Sequence, residues 1–330
     1  MPVPERLRRL STGLALLLGL GLGAGLLVHV GAVRVLDLVA RAGWWLLAVL
    51  VLHLVQIVLT AVSWRAVVPG PAPPLGRFVL ARWLREGVNS LLPVLPVAGL
   101  LAAIRVLGRG GLALPQAVAA TLADTTVELV TQIPFTVFGL ALLVLARGVG
   151  AVSPWMFGGL GVLCALGAVL VPAQRLGLAR LAERSARRLG WAGRIDGLDV
   201  ALAAIQRARG RLALAAASHL LAWALGGAEV WVVLRALGRP VGAAPALVIE
   251  SLGHAVRGMA FLIPGALGVQ EGGFVLVCGL FGLPAALGLA VSLVKRLRDI
   301  VLGVPSLALW LALERGGRLG SPAWLGIRSG

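Results

Sequence analysis

Two apolar stretches of the chain, 120–134 and 291–305, carry charged side chains in their middle. The charged residues are Asp124 and Glu128 in the first stretch and Lys295, Arg296 and Asp299 in the second. Side chains of these types can bind a charged group or transfer a proton. Because a charge inside a bilayer is costly, a chain that places charges twice at matching depths is expected to use them for transport or for handling a lipid head group.

The two stretches repeat one pattern at a shift of 171 residues. The aligned pairs are Glu128 with Asp299, Pro134 with Pro305, and Pro93 with Pro264. If both stretches are helices, their polar faces lie at equivalent depth and can pair acid to base around a cavity, with Asp124 or Glu128 neutralising Lys295 or Arg296. Such pairs could simply hold the helices together, or they could also bind a charged head group or cycle a proton.

Two further segments, 78–108 and 245–279, are apolar but broken by charged residues, proline and glycine. Their candidate site residues are Arg85, Glu86 and Asn89 in the first and Glu250, Arg257, Gln270 and Glu271 in the second. Proline lacks an amide donor and glycine relaxes the backbone, so neither segment is expected to be one straight spanning helix. We predict a re-entrant pair of short helices in each segment; two full crossings in each is the alternative.

Three residues of the broken segments have the clearest chemical roles. Arg85 and Arg257 could hold a phosphate through the forked donors of the guanidinium group. The alternative for Arg85 and its neighbour Arg82 is that their side chains extend to the membrane interface. Glu271 could carry a charge or a proton across the membrane, or it could only cap a short helix.

Composition excludes a soluble domain. Hydrophobic residues make up 59% of the 330 residues, and the mean hydropathy is +0.97. Many apolar stretches are long enough to cross roughly 30 Å of hydrocarbon, which predicts an all-α polytopic membrane protein. The predicted spans are 13–33, 44–67, 114–145, 154–172, 211–235 and 284–313. Six spans and two re-entrant segments form a single membrane domain, 1–330. Several tryptophans, among them Trp64, are expected to be interface anchors.

The net charge of +17 comes from arginine, with Lys295 as the single lysine. The arginines collect near helix ends and in the loop 173–210, as the positive-inside rule requires. We therefore predict a bacterial inner-membrane protein whose two termini and loop 173–210 lie in the cytoplasm. The same distribution predicts no nucleic-acid partner. The N-terminal segment resembles a signal peptide, but an uncleaved first helix is expected. The two cysteines have no metal-ligand spacing, and no catalytic motif is present, so neither a metal, a cofactor nor an enzyme is indicated.

The orientation of the spans predicts an inverted repeat. His53 and Trp64 of the second span correspond to His219 and Trp231 of the fifth, with a few residues of slippage. The second span runs inward and the fifth outward. The first repeat therefore covers about 44–145 and the second about 211–313, and binding sites in such proteins lie where the broken segments meet near mid-membrane.

Three motifs in order, Arg82–Val94, Phe261–Gly273 and Lys295–Asp299, resemble a known family. Over roughly residues 10 to 315, the chain is similar to the flippase-like membrane family that includes the transmembrane half of lysylphosphatidylglycerol synthases, and within it most similar to hopanoid-biosynthesis-associated membrane proteins. The resemblance implies movement of a lipid, such as an aminoacylated phospholipid, between leaflets. At the shift of 171 residues, Leu100 corresponds to Glu271. Relatives often carry an acidic residue at the position of Leu100. If the two acidic residues of such relatives work as a pair, the resemblance implies that this chain has lost one of them.

We therefore expect an inner-membrane lipid translocator whose substrate is a hopanoid or another polar-headed lipid. The alternative is an accessory membrane protein that scaffolds the enzymes of hopanoid or lipid biosynthesis. A third hypothesis is an intramembrane enzyme that acts on lipid head groups. The sequence indicates no oligomeric state.

Overall fold

The computed structural model describes Val28 and residues 32–91, 98–175, 196–259 and 266–315. These ranges form α-helices, short turns and one 3₁₀ turn, and contain no strand, so the predicted all-α fold class is confirmed. The predicted first span, 13–33, falls almost wholly outside the described residues. Pro93, Pro264 and the middle of the loop 173–210 also lie outside them.

The helices are numbered here in chain order over the described part of the chain. They are α1 (Ala32–Arg41), α2 (Trp45–Ala66), α3 (Leu75–Leu91), α4 (Ala98–Arg109), α5 (Leu114–Arg147), α6 (Pro154–Arg175), α7 (Leu198–Arg207), α8 (Arg209–Ala236), α9 (Ala243–Met259), α10 (Val269–Gly279) and α11 (Ala285–Arg315).

Among the described residues, four helices are long and apolar enough to cross a membrane: α2, α5, α6 over Met156–Ala173, and α8. They coincide with the predicted spans 44–67, 114–145, 154–172 and 211–235. Continuous apolar sequence without strand-like alternation favours helices here, because a helix satisfies all its backbone hydrogen bonds internally. The chain is therefore a multi-pass membrane protein.

Helix α11 forms where the sixth span was predicted, but its charged middle sets it apart from these four helices. Its outer face exposes Leu297, Ile300 and Val304, whereas Lys295 and Arg298 are buried on the opposite face. An apolar outer face with buried charge is the distribution expected of a helix that contacts lipid on one side and protein on the other.

Each broken segment contains two short helices that pack against each other, α3 with α4 and α9 with α10. At about 1.5 Å per residue, the 12 residues of α4 and the 11 of α10 extend about 18 and 16 Å, well short of the roughly 30 Å of hydrocarbon. Helices α3 and α9, of 17 residues each, extend about 26 Å, so the choice between re-entrant helices and full crossings stays a prediction. Gly99 permits the close approach of α4 to α3, because a Cβ there would lie 2.4 Å from Asn89 Oδ1.

The chain forms two compact units, and neither is a continuous stretch of sequence. The first unit comprises Met1–Gln56, Gln132–Cys164 and Trp223–Asp299; the second comprises Ile57–Thr131, Ala165–Ala222 and Ile300–Gly330. The apolar core of the first unit includes Leu143, Ile249, Phe274 and Leu289. The core of the second includes Trp64, Phe78, Leu84 and Leu107. The inverted repeat stays a prediction.

Candidate functional site

A buried ion-pair network in the first unit is centred on Lys295 of α11. Its Nζ lies 3.3 Å from a carboxylate oxygen of Glu229 on α8 and 2.9 Å from the carboxylate of Glu250 on α9. Both glutamate side chains are almost inaccessible, with exposed fractions of 0% and 2%. Such a charge is tolerated away from water only when it is paired, so Lys295 ties α11 to both neighbouring helices.

Further polar groups complete this network. Arg298 donates to Glu229 and, at 2.6 Å, to Asp299 Oδ1. His53 lies 3.3 Å and Gln56 2.6 Å from Glu229, and His254 lies 3.1 Å from Glu250. We call this group the Lys295 cluster; its members are His53, Gln56, Glu229, Glu250, His254, Lys295, Arg298 and Asp299.

Glu271 has two structural roles at the start of α10. Its Oε2 accepts a hydrogen bond of 2.7 Å from the amide of Gly268, which caps the helix. The same carboxylate receives a forked pair from Arg296, whose Nε donates to Oε1 and whose Nη2 lies 3.2 Å from Oε2. Ser292 also donates to it at 3.3 Å, and Gln270 donates to Ser292 at 3.1 Å. Glu271 therefore caps α10 and is also an ion-pair partner, and its role in carrying a charge or a proton stays a prediction.

Arg257 differs from Lys295, Arg296 and Arg298, which each pair with a carboxylate. It lies in the last turn of α9 and is half-buried. It interacts electrostatically with Asp299 and Glu250, while Arg296 and Arg298 repel it. Within the described part of the chain, no carboxylate lies within ion-pair distance of its guanidinium group. Forked donors without such a partner are suited to bind an external anion.

The second unit contains its own buried network, centred on Arg82 of α3. Arg82 donates to Glu86 at 2.6 Å and to both oxygens of Glu128 on α5, at 2.6 and 3.2 Å. Arg85 donates to Glu128 at 3.1 Å, and its Cζ lies 5.9 Å from the ring centre of Trp64. Because Arg82 is only 5% exposed and forms ion pairs, the prediction that it extends to the membrane interface is wrong.

Asp124 completes the second network, which we call the Arg82 cluster. Its Oδ1 accepts hydrogen bonds from Ser63 on α2, at 2.7 Å, and from the ring of His219 on α8, at 3.0 Å. Its Oδ2 lies 3.6 Å from Arg82. Ser63 thus donates to the aspartate and not to the histidine. The members of the Arg82 cluster are Ser63, Arg82, Arg85, Glu86, Asp124, Glu128 and His219.

The structure gives these charges partners that the sequence did not indicate. Asp124 and Glu128 pair with the arginines of α3, and Lys295 and Arg296 pair with glutamates of α8, α9 and α10. The position of a charged residue along its own helix does not show which other helix packs against it and contributes the counter-ion. Both sets of charges are nevertheless buried and paired, as the hypothesis of charges holding the helices together requires.

The contacts of Asn89 and Trp64 bear on two other expectations. The Oδ1 atom of Asn89 accepts a hydrogen bond of 3.2 Å from the amide of Gly99, which fastens the start of α4 to α3, and the role of Asn89 in lipid binding stays a prediction. Trp64 was predicted to be an interface anchor, but it is completely buried and packs edge-on against Phe78 with ring centres 6.3 Å apart.

Several members of the two clusters were not among the predicted site residues. These are Ser63, His53, Gln56, Arg82, His219, Glu229, His254 and Arg298. Glu229 could have been identified, because it is an acidic residue in the middle of an otherwise apolar span, α8. Ser63 has no distinguishing signal, since a single serine is tolerated in any membrane helix.

Comparison with known proteins gives one positive result. A family model described as the lysylphosphatidylglycerol synthase TM region matches residues 14–305. No curated protein matches the chain, and no solved structure matches it.

Proposed function

Because the chain belongs to the lysylphosphatidylglycerol synthase transmembrane-region family, we propose that it moves a polar-headed lipid between the leaflets of the bacterial inner membrane. The family implies a membrane protein of lipid modification or translocation. Of these two roles we propose translocation, because the buried ion pairs of the first unit offer both positive and negative groups to a lipid head group.

Arg257 is the observation that carries the proposal. A half-buried guanidinium group beside the Lys295 cluster, without a carboxylate at ion-pair distance among the described residues, has donors to offer a phosphate. A lipid phosphate is the anion that a bilayer supplies in greatest abundance. Gln270, Ser292 and the Arg296–Glu271 pair provide polar groups in the same unit that can solvate the rest of a head group.

The balance of the charges around Lys295, Arg257 and Glu271 suggests the kind of head group. The carboxylates of Glu229, Glu250, Glu271 and Asp299 are matched in number by the cations Arg257, Lys295, Arg296 and Arg298. A site with no net charge favours a head group that is polar or carries both signs over a simple anion. An aminoacylated phospholipid meets this requirement, and so does a hopanoid with a polar head group.

The mechanism we propose is an exchange of partners. A head-group amine can compete for Glu271 while its phosphate binds Arg257, so that the Arg296–Glu271 pair opens only when a ligand replaces it. Since a buried charge left unpaired is costly, the empty site stays closed by its own ion pair. If α9 and α10 are re-entrant as the sequence predicts, this site lies within reach of lipid head groups.

The test is leaflet exchange of a panel of fluorescent lipids, including an aminoacylated phospholipid and a hopanoid, in proteoliposomes that contain only this protein. The variant is Glu271→Gln and the matched control is Asp37→Asn, an acidic residue of the first unit that is about half exposed and pairs with Arg41. We expect selective exchange that is lost in Glu271→Gln and kept in Asp37→Asn. Exchange at the wild-type rate in folded Glu271→Gln would refute the site.

A non-transporting accessory role is the second candidate, and Leu100 is the observation that favours it. This residue of α4 stands where a counterpart of Glu271 is expected, so the first broken segment has no equivalent carboxylate at that position. No exchange for any lipid in the panel by properly folded protein, together with co-purification of lipid-biosynthesis enzymes, would favour this role over translocation.

A further inference from the structure

A cavity of about 260 Å³ lies in the second unit, outside the Arg82 cluster. Helices α5, α6, α7 and α8 all contribute to its wall. Its lining includes Ala123, Val127 and Val130 of α5, Leu202 and Ile205 of α7, and Ala216 of α8. Val130 is 37% exposed while Leu202 and Ile205 are buried, so the cavity opens to one side and is closed by protein on the other.

The wall of this cavity is more apolar than its residue types suggest. Thr126 and Thr131 also line it, but their hydroxyl groups donate to the carbonyls of Leu122 and Val127 in their own helix, each at 2.8 Å. A threonine whose hydroxyl is bonded within the helix can present its methyl group to the cavity. An opening of this kind in a membrane protein is filled by hydrocarbon, because polar partners for water are scarce.

Helix α7 forms part of the cavity wall and is amphipathic. It buries Leu198, Leu202 and Ile205 and exposes Arg207, and Gln206 on its last turn also lines the cavity. Arg209, the first residue of α8, is exposed only two residues further along the chain. An apolar cavity, with two exposed arginines that follow its lining residue Gln206 closely in sequence, combines the two features that an anionic phospholipid requires.

We propose that this cavity binds one acyl chain of an anionic phospholipid, whose phosphate lies at Arg207 and Arg209. A methylene group occupies about as much space as a water molecule, roughly 30 Å³, so the cavity holds about eight or nine methylene groups. This is about half of a typical acyl chain, and the remainder extends into the bilayer. The site does not depend on translocation, because a bound lipid can equally be a permanent part of the structure.

The test is native mass spectrometry of protein released from nanodiscs that contain equal amounts of phosphatidylglycerol and phosphatidylcholine. Ala216→Leu fills the cavity; Ala213→Leu, on an exposed position of the same helix, is the matched control. We expect wild-type protein and Ala213→Leu to retain one phosphatidylglycerol. Ala216→Leu should retain it at least about tenfold less often, because the three added carbon atoms of leucine occupy the space of three carbon atoms of the acyl chain. Equal retention in all three proteins would overturn the proposal.

The arginine part of the site is tested separately. In Arg207→Gln and Arg209→Gln, the preference for phosphatidylglycerol over phosphatidylcholine should fall about fivefold for each arginine removed. A preference that is unchanged in both variants would remove the phosphate from the proposal. Equal retention of the two lipids by the wild-type protein would do the same.

A measurement on the unaltered protein guards against variants that misfold. Phosphatidylglycerol with a photoreactive group at mid-chain should crosslink preferentially to peptides from 123–131 and 202–206, which line the cavity. Crosslinks spread evenly over the exposed apolar residues of α2, α5 and α11 would overturn the proposal, because that pattern describes ordinary lipid contact.

Discussion

Removing the amine of Lys295 tests whether the Lys295 cluster is as tightly coupled as its distances indicate. In Lys295→Met the side chain keeps most of its length, but Glu250 loses its cation at 2.9 Å, while His254 still lies 3.1 Å from it. Glu229 is less affected, because Arg298, His53 and Gln56 still contact it. Breaking a buried ion pair from one side costs about 3–5 kcal/mol, so we expect the free energy of unfolding to fall by that amount.

The second half of this test restores neutrality. In Lys295→Met combined with Glu250→Gln no charge of the pair is left, so the double variant should be more stable than Lys295→Met alone, with a coupling of about 1–3 kcal/mol between the two changes. The assay is reversible unfolding in mixed micelles by titration with a denaturing detergent. Arg41→Met, which breaks an exposed pair of 2.7 Å with Asp37, is the control and should cost less than about 1 kcal/mol. A Lys295→Met variant within 1 kcal/mol of wild type, or additive effects in the double variant, would refute the reasoning.

Two further predictions use the same titration. Gly288→Ala should be destabilised by about 1–3 kcal/mol, because its Cβ would lie 2.7 Å from the carbonyl oxygen of Phe274. The control is Gly161→Ala, whose Cβ would meet nothing within 4 Å and which should be unchanged or slightly stabilised. Equal effects of the two substitutions would contradict the close packing of α10 and α11. Arg82→Lys should be destabilised by about 2–3 kcal/mol although the charge is kept, because lysine cannot reproduce the forked contact with both oxygens of Glu128. A variant as stable as the wild-type protein would show that only the charge matters at this position.

The spans and the broken segments could be predicted from sequence because each depends on local composition. Continuous apolar runs predicted α2, α5, α6 and α8, and the interruption by charge, glycine and proline predicted two pairs of short helices. The charged face of α11 could also be predicted, since Ser292, Lys295 and Ser306 follow helical spacing and are all buried.

The partners of the charges could not be predicted, because they are set by packing between distant parts of the chain. Asp124 accepts hydrogen bonds from residues 61 and 95 positions away, and Lys295 reaches Glu229 over 66 positions. Helical spacing reports which residues share a face but not which helix that face meets. Trp64 illustrates the same limit, since an amphipathic ring suits an interface and a buried core equally well.

Leaflet exchange by Arg257→Gln tests the central claim most directly. The assay compares wild-type protein with Arg257→Gln and Arg235→Gln in the same vesicles, with the lipid that the wild-type protein moves fastest. Arg235→Gln is the control, because Arg235 is an exposed arginine of the first unit whose Cζ lies 5.4 Å from the ring centre of Trp231. Because a hydrogen bond to a charged group is worth about 1.5–3 kcal/mol, we predict at least about a tenfold loss of exchange in Arg257→Gln and none in Arg235→Gln. Wild-type exchange by folded Arg257→Gln would contradict the proposal that this arginine binds the lipid head group.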